Sequence, residues 1–420
     1  MTKWFIINDS TENKISYYHL ACFLVLLPFD FFYSQLVVIS FALHTIIHLK
    51  KERLALLAIK ETVMPVVVFL LFFISILYSS DKTEGFSVSG RQSAIFFMPV
   101  LLALNPLNLS QYKLHLLKIF SLTCVVVVLY LYADALHTLH YFHLPYASLF
   151  SSGFINHNFS LPINLHATYL SMYIALAISV FVFSVSRTTI TGHKVLYGLG
   201  LLILAAGLLQ LTSRAVVIAM LLIIAAGSFL FFFKGKMKFA AGIFTLVTAT
   251  TVLYIISGNS AFKQRYITEF KNDVADVAVT DEMLEPRIVR WGLSVDIIKQ
   301  APFFGHGNGA EKKLLKEKYF QNKLYISYLK EFNAHSQYLD FLICTGVAGL
   351  TYYLVILGMG FFYALRKKDF LFFSFLTLIA VVSVSENILT VNKGIFFYSF
   401  FLSFFLISNA PQLFYKATVN

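Results

Sequence analysis

A guanidinium held near a membrane surface can grip a phosphate through two parallel hydrogen bonds. Arginines stand in several segments of this chain where that chemistry is available. Arg91 opens an apolar run in SGRQSAIFFMPV, and Arg214 sits in the short turn LLQLTSRAVVIAM. Arg287 and Arg290 belong to EPRIVRWGLSVDIIKQAPFFGHGNG. Pro286 suits a first helical turn, and Arg287, Arg290, Trp291 and Ser294 recur at spacings of three and four, which predicts one face of a short helix. That helix should end near Gln300, because Pro302 and the glycine-rich turn from Gly305 to Gly309 cannot continue it. GHGNG has neither a preceding strand nor a Gly-Lys-Ser/Thr ending, so it reads as a turn rather than a phosphate cradle.

A proton acceptor is also at hand. His335 heads the apolar run NAHSQYLDFLICTGVAGL, and imidazole can take a proton near neutral pH. It reads either as a general base or as a capping, hydrogen-bonded side chain. Glu386, in SENILTVNKG, could orient His335, bind a sugar hydroxyl or pair with Lys393. His166 opens another apolar run, NLHATYLSMY. His137, His140 and His143 are spaced by three, which drifts around a helix, and only Asp134 is near. No metal is expected there.

Membrane spans must position these groups. The 420 residues are 58% hydrophobic and 13% charged, with 45 Phe and 23 Tyr. A soluble domain carries about 25% charged residues, so one soluble core is excluded. Cys22, Cys124 and Cys344 lie in apolar runs and suggest neither a disulfide framework nor a metal site. Apolar runs of spanning or near-spanning length fall at 17–29, 33–48, 63–79, 92–105, 115–132, 167–185, 194–211, 215–233, 238–257, 337–364, 370–385 and 394–410. They predict an all-α polytopic protein of about twelve transmembrane helices. Lys3 and Lys14 precede the first run without a cleavage site after it, so it reads as a retained span.

The net charge of +12 concentrates in short loops on one side: HLKKERLALLAIKE, the 105–118 link, SRTTITGHK, KGKMK and RKKD. By the positive-inside rule that side is cytoplasmic, together with both termini, and nucleic acid is not the expected partner. Two longer segments then lie outside, about 134–166 and 258–333. The expected organisation is a membrane unit at 1–257, a large loop at 258–336 carrying the reactive groups, and a closing membrane unit at 337–420. Within the loop, AEKKLLKEKYFQNKLYISYLKEF reads as one amphipathic basic helix.

The order of these motifs resembles the O-antigen ligase and polymerase family. The likeness is carried by Arg287 and Trp291, by Pro302, Gly305 and Gly307, and by His335, Gln337, Tyr338, Leu339, Gly346, Gly349 and Leu350. Arg214 in TSRA, His166 in HATYLSMY and Glu386 in SENILTVNKGIFF extend it. Ser336 stands where the family often has Asn. The resemblance implies a metal-independent, inverting glycosyltransferase of the bacterial inner membrane, with no cofactor and its active site on the periplasmic side. It would move a polysaccharide from undecaprenyl diphosphate to an acceptor hydroxyl, on lipid A core for a ligase or on the growing glycan for a polymerase. By that likeness His335 and Arg287 are catalytic, Arg214, Arg290 and Arg91 hold the diphosphate, and Trp291, Glu386, His166 and Gln337 contact substrate. Membrane lipids are the remaining partners. A transporter or flippase would instead place ionisable groups at mid-membrane in pseudo-symmetric halves, and no such pattern is present. A receptor or structural protein would not need so many outside arginines beside a His.

Overall fold

A computed structural model describes residues 6–29, 31–233, 235–273 and 285–410. Among them there is no strand, and each of the twelve apolar runs falls on a helix. We label the principal helices α1 (Thr11–Leu26), α2 (Phe31–Ile47), α3 (Lys60–Ser75), α4 (Lys82–Leu104), α5 (Leu109–Tyr141), α6 (Ala167–Arg187), α7 (Thr191–Leu211), α8 (Arg214–Gly227), α9 (Lys238–Gly258), α10 (Arg287–Ile298), α11 (Ala310–Gln321), α12 (Gln337–Arg366), α13 (Phe370–Val382) and α14 (Asn392–Ser408).

Among the described residues seven helices are long and apolar enough to cross a membrane, or eight if a bent pair following α8 counts as one span. Length and composition thus support seven or eight of the expected twelve crossings, and three further apolar helices are shorter. α13 is one of these: its 13 residues reach only about 20 Å, short of a hydrocarbon core of about 30 Å.

Helix starts follow side-chain caps. Asp81 accepts from the Glu84 N–H at 3.0 Å and starts α4 ten residues before the apolar run, so Arg91 lies inside the helix rather than at its head. α5 is longer than its apolar run at both ends, and it absorbs His137 and His140 from the segment expected to be an outside loop. α14 is buried on every face from Gly394 to Ser408, as a helix apolar all round must be. α4, α3 and α5 pack around it, and α6 and α13 complete the core.

The loop between α10 and α11 is built into the membrane unit. Gly346 breaks α12 with φ 65° and ψ −165°, which interrupts the helical hydrogen-bond ladder. The loop backbone repairs it: the N–H groups of His306 and Gly307 donate to Ile343 and Cys344, at 2.7 and 3.0 Å. In return, the Val347 and Ala348 N–H groups donate to Pro302 and Phe303, at 2.8 and 3.2 Å. Asn308 anchors the far side, donating to Ser89 and Gln92 of α4 at 3.1 and 3.0 Å. Unpaired backbone at membrane depth is costly, so loop and break require each other. A Cβ on Gly346 would lie 2.3 Å from the Phe303 carbonyl carbon. Gly346→Ala is therefore expected to destabilise the protein by at least about 3 kcal/mol, read as a lower melting temperature in detergent. Melting unchanged from wild type would show that the break is not a structural requirement.

The segment expected as one basic helix is two. α11 ends at Gln321, Lys323 adopts φ 58°, and a short helix, Tyr325–Leu329, turns back. The turn lets Tyr319 and Leu315 bury against Ile297 and Ile343 in a small core of the loop's own.

Candidate active site

Four elements supply the charged groups of a cavity of about 360 Å³, and Thr168 at the start of α6 also lines it. α8 begins on its wall with Arg214, so the positive end of the helix dipole adds to the guanidinium there. α10 contributes Arg287 and Trp291, and the turn after α13 contributes Ser385 and Glu386. The fourth element lies beyond α9, where the chain bends by 109° and a second helical stretch, Ser260–Asp273, runs across the cavity. It brings Arg265, Phe270 and Asp273 to the wall.

Asp273 joins the two principal cations. Its Oδ2 lies 2.5 Å from Arg214 Nη2 and 3.6 Å from Arg287 Nε. Arg287 also donates from Nη1 to the Ser385 carbonyl at 3.2 Å, which ties α10 to the Glu386 turn. Arg265 pairs with Glu269 one turn along its own helix. One turn deeper along α8 and α13 the wall becomes apolar, with Ile218, Val381 and Val384.

Glu386 is the meeting point of the histidines. Its Oε2 lies 4.0 Å from His335 Nδ1, and its Oε1 accepts from Thr168 Oγ1 at 3.3 Å. Burial would raise this carboxyl, but His335, His166 and Arg287 outweigh it and hold it below the usual carboxylate range. The His335 imidazole thus turns its Nδ1 toward the Glu386 carboxylate. His166 is the N-cap of α6, its Nδ1 accepting from the Thr168 N–H at 3.3 Å. His157 packs against it with ring centroids 4.1 Å apart and ring planes tilted by 58°. Both rings reach solvent at the cleft rim, yet burial by surrounding protein lowers both, and His157, with His166 and Arg265 nearby, falls to about 4.

His335 adopts φ 47°, a conformation rare outside Gly and Asn, and its neighbours fix it there. Its own N–H donates to Asn333 Oδ1 at 3.0 Å. Ser336, not His335, caps α12. Preceding it, Ala334 is held on both sides: its carbonyl accepts from Trp291 Nε1 at 2.8 Å, and its N–H donates to Glu311 Oε1 at 3.0 Å. The same Glu311 carboxyl accepts from Asn387 Nδ2 at 3.3 and 3.4 Å. One buried group thus clamps the residue before His335 and the residue after Glu386, and so sets the spacing of that pair.

Burial, and next the Asp340 carboxyl beside it, push Glu311 well above the usual carboxylate range. An acid raised in this way lends stability that is complete below its ordinary value of 4.5 and lost as pH rises through its folded value. Gln keeps both an acceptor and a donor at this position. Glu311→Gln should therefore melt close to wild type below about pH 4.5 and above it at neutral and alkaline pH, without the decline, whereas Glu311→Ala should cost about 2–4 kcal/mol through the groups it leaves unpaired. Melting curves against pH in detergent decide the matter; an undiminished alkaline decline in Glu311→Gln would remove Glu311 as its source.

His335 and His166 adjoin the cavity through Glu386 and Thr168 without lining it, and three further expected site residues lie elsewhere. Arg91 is held by Glu84 at 3.1 Å and Ser87 at 3.1 Å on its own helix and does not line the cavity. Arg290 is 6% exposed and its guanidinium stacks on Phe332 at 5.0 Å. The shared face predicted for α10 splits because adjacent positions point about 100° apart: Arg287 and Trp291 face the cavity, while Arg290 and Ser294 turn into the loop core. Gln337 is fully buried. Its N–H donates to the Ser383 and Glu386 carbonyls at 2.9 and 3.1 Å, and its Oε1 accepts from the Leu389 N–H at 2.7 Å. These bonds tie the start of α12 to the Glu386 turn. Among the described residues no group of three or more His, Cys, Asp or Glu side chains is placed to hold a metal ion.

Residues 172–354 match the family model described as O-antigen ligase. The chain carries an O-antigen ligase family domain. The match runs from within α6 into α12, and so includes Arg214, Arg265, Asp273, Arg287, Trp291 and His335. Thr168 and Glu386, which complete the cleft, lie outside the matched O-antigen ligase segment. No curated protein matches the chain. The O-antigen ligase match, together with seven or eight long apolar helices among the described residues, points to a bacterial membrane protein of the ligase or polymerase type, a class whose substrates are in general a lipid-linked glycan and an acceptor.

Proposed function

We propose that this cleft transfers a polysaccharide from undecaprenyl diphosphate to an acceptor hydroxyl, in the ligase manner, with lipid A core as acceptor. The observation that supports it best is the convergence of Arg214 and Arg287 on one carboxylate, Asp273, in a cavity apolar on its membrane side and bordered by the His335–Glu386 pair. In this reading the donor diphosphate takes the place of the Asp273 carboxylate between the guanidiniums. Arg265 adds a third cation, and the prenyl chain leaves past Ile218, Val381 and Val384 toward lipid.

The chemistry follows from the groups present. His335 Nε2 takes the proton of the acceptor hydroxyl as its oxygen attacks the anomeric carbon. The bond from that carbon to the diphosphate oxygen breaks, its electron pair goes to the diphosphate, and Arg214 and Arg287 stabilise the developing charge. Attack opposite the leaving group inverts the anomeric centre without a covalent intermediate. Trp291 offers an indole face at the cleft for a sugar ring. In this scheme the arginines supply the charge that a divalent cation supplies elsewhere.

Orientation is part of the same proposal. Cationic loops such as Lys50–Arg53 and Arg366–Lys368 adjoin the helix ends opposite the cleft, so the positive-inside rule puts the cleft on the periplasmic face of the inner membrane. The test is reconstitution in liposomes with a lipid-diphosphate glycan, EDTA, and either lipid A core or free glycan as acceptor. Transfer to lipid A core supports ligation, elongation of glycan supports polymerisation instead, and loss of both in EDTA overturns the metal-free scheme.

A further inference from the structure

The helix ends opposite the cleft enclose a second cavity, of about 300 Å³. α6 runs from Thr168 at the cleft to Arg187 at this cavity, and its 21 residues separate the two by about 30 Å. Lys113 from the start of α5, Arg187, and Lys367 and Lys368 from the link between α12 and α13 line the cavity, against one acid, Asp369. That acid is already engaged. It pairs with Lys113, accepts from Asn409 Nδ2 at 2.6 Å, and caps α13 through the Phe372 N–H at 3.1 Å. Lys367 and Lys368 are exposed and form no ion pair among the described residues.

The link is preset rather than loose. Lys368 and Asp369 donate their N–H groups to Leu365 and Ala364, at 3.2 and 2.8 Å, which forces Lys368 to φ 52°. Glycine is favoured there, yet the chain keeps a lysine. Arg187 is steadied over the Phe183 ring at 5.4 Å. Beside these cations the wall is apolar, with Leu114, Phe183 and Leu371.

We propose that this cavity holds an anionic glycerophospholipid, its phosphate on Arg187, Lys367 and Lys368 and its acyl region against Leu114, Phe183 and Leu371. Basic pockets between transmembrane helices bind anionic headgroups through such an arrangement. A zwitterionic choline lipid would set its own cation against these, and free phosphate would leave the apolar wall unused. The site does not depend on glycan transfer.

The experiment uses the delipidated full chain in detergent and native mass spectrometry, with phosphatidylglycerol, phosphatidylcholine or inorganic phosphate added. Wild type should retain phosphatidylglycerol and not phosphatidylcholine. The triple variant Arg187→Gln, Lys367→Gln, Lys368→Gln should bind phosphatidylglycerol at least about tenfold more weakly. Lys368→Gly guards against misfolding: it relieves the backbone while removing a cation, so it should melt no lower than wild type and still bind less lipid. Equal retention of phosphatidylglycerol by both variants, or equal binding of phosphatidylcholine, overturns the proposal. Displacement of the lipid by inorganic phosphate at matching concentration makes this a free-anion site and overturns it too.

Discussion

Arg287→Ala is expected to lower glycan transfer by about 10²–10³-fold with membrane insertion intact, because a preorganised cation at a developing charge has that order of effect. Arg287 does two things at once. Its Nε side faces Asp273 at 3.6 Å, where the diphosphate is proposed to lie, and its Nη1 holds the Ser385 carbonyl at 3.2 Å. Arg287→Lys separates these roles. A lysine retains a point charge but cannot span both positions, so it should recover only part of the loss. Turnover in proteoliposomes, compared at equal protein, measures both. A fall of less than about tenfold in Arg287→Ala would remove this guanidinium from the reacting centre.

The second large effect belongs to His335. Losing a general base lowers turnover by about 10²–10⁴-fold. Alanine is a poor probe here, because φ 47° is strained for it. Asn accepts that backbone and cannot act as a base, so His335→Asn isolates the chemistry. His335→Gly, which also accepts it, should regain activity when imidazole is added. His335→Asn that keeps a tenth or more of wild-type turnover, roughly the floor for a lost base, would sink the assignment.

Much of the cleft was legible because a polar side chain at the head of an apolar run stands out. Arg214, His166 and His335 all do so, Glu386 opens the turn that follows one, and Arg287 and Trp291 share a helical face. Other residues gave no such sign. Arg265 precedes Glu269 by four residues and reads as an ordinary solvated pair, and nothing local announces the 109° bend that carries it over the cavity. Glu311 is hidden in AEKKLLKEK, a run whose charges look solvated, yet it is buried because the loop closes over it. Arg91 was misplaced because the Asp81 cap starts α4 earlier than hydropathy does. Arg290 was misplaced because a step of three along α10 sufficed to turn it from the cavity into the loop core. Hydropathy found every long apolar helix but not which are long enough to cross, since α13 and α14 owe their burial to neighbours.

The exchange of backbone hydrogen bonds between the 302–307 loop and the break in α12 also fixes an order of events during synthesis. The loop emerges before the carbonyls of Ile343 and Cys344 that receive it, and α13 and α14 follow later still. A nascent chain that has inserted only through α9 and α10 therefore owns its arginines but neither His335 nor Glu386. The cleft wall is complete only once the Glu386 turn after α13 has been made, more than a hundred residues after Asp273.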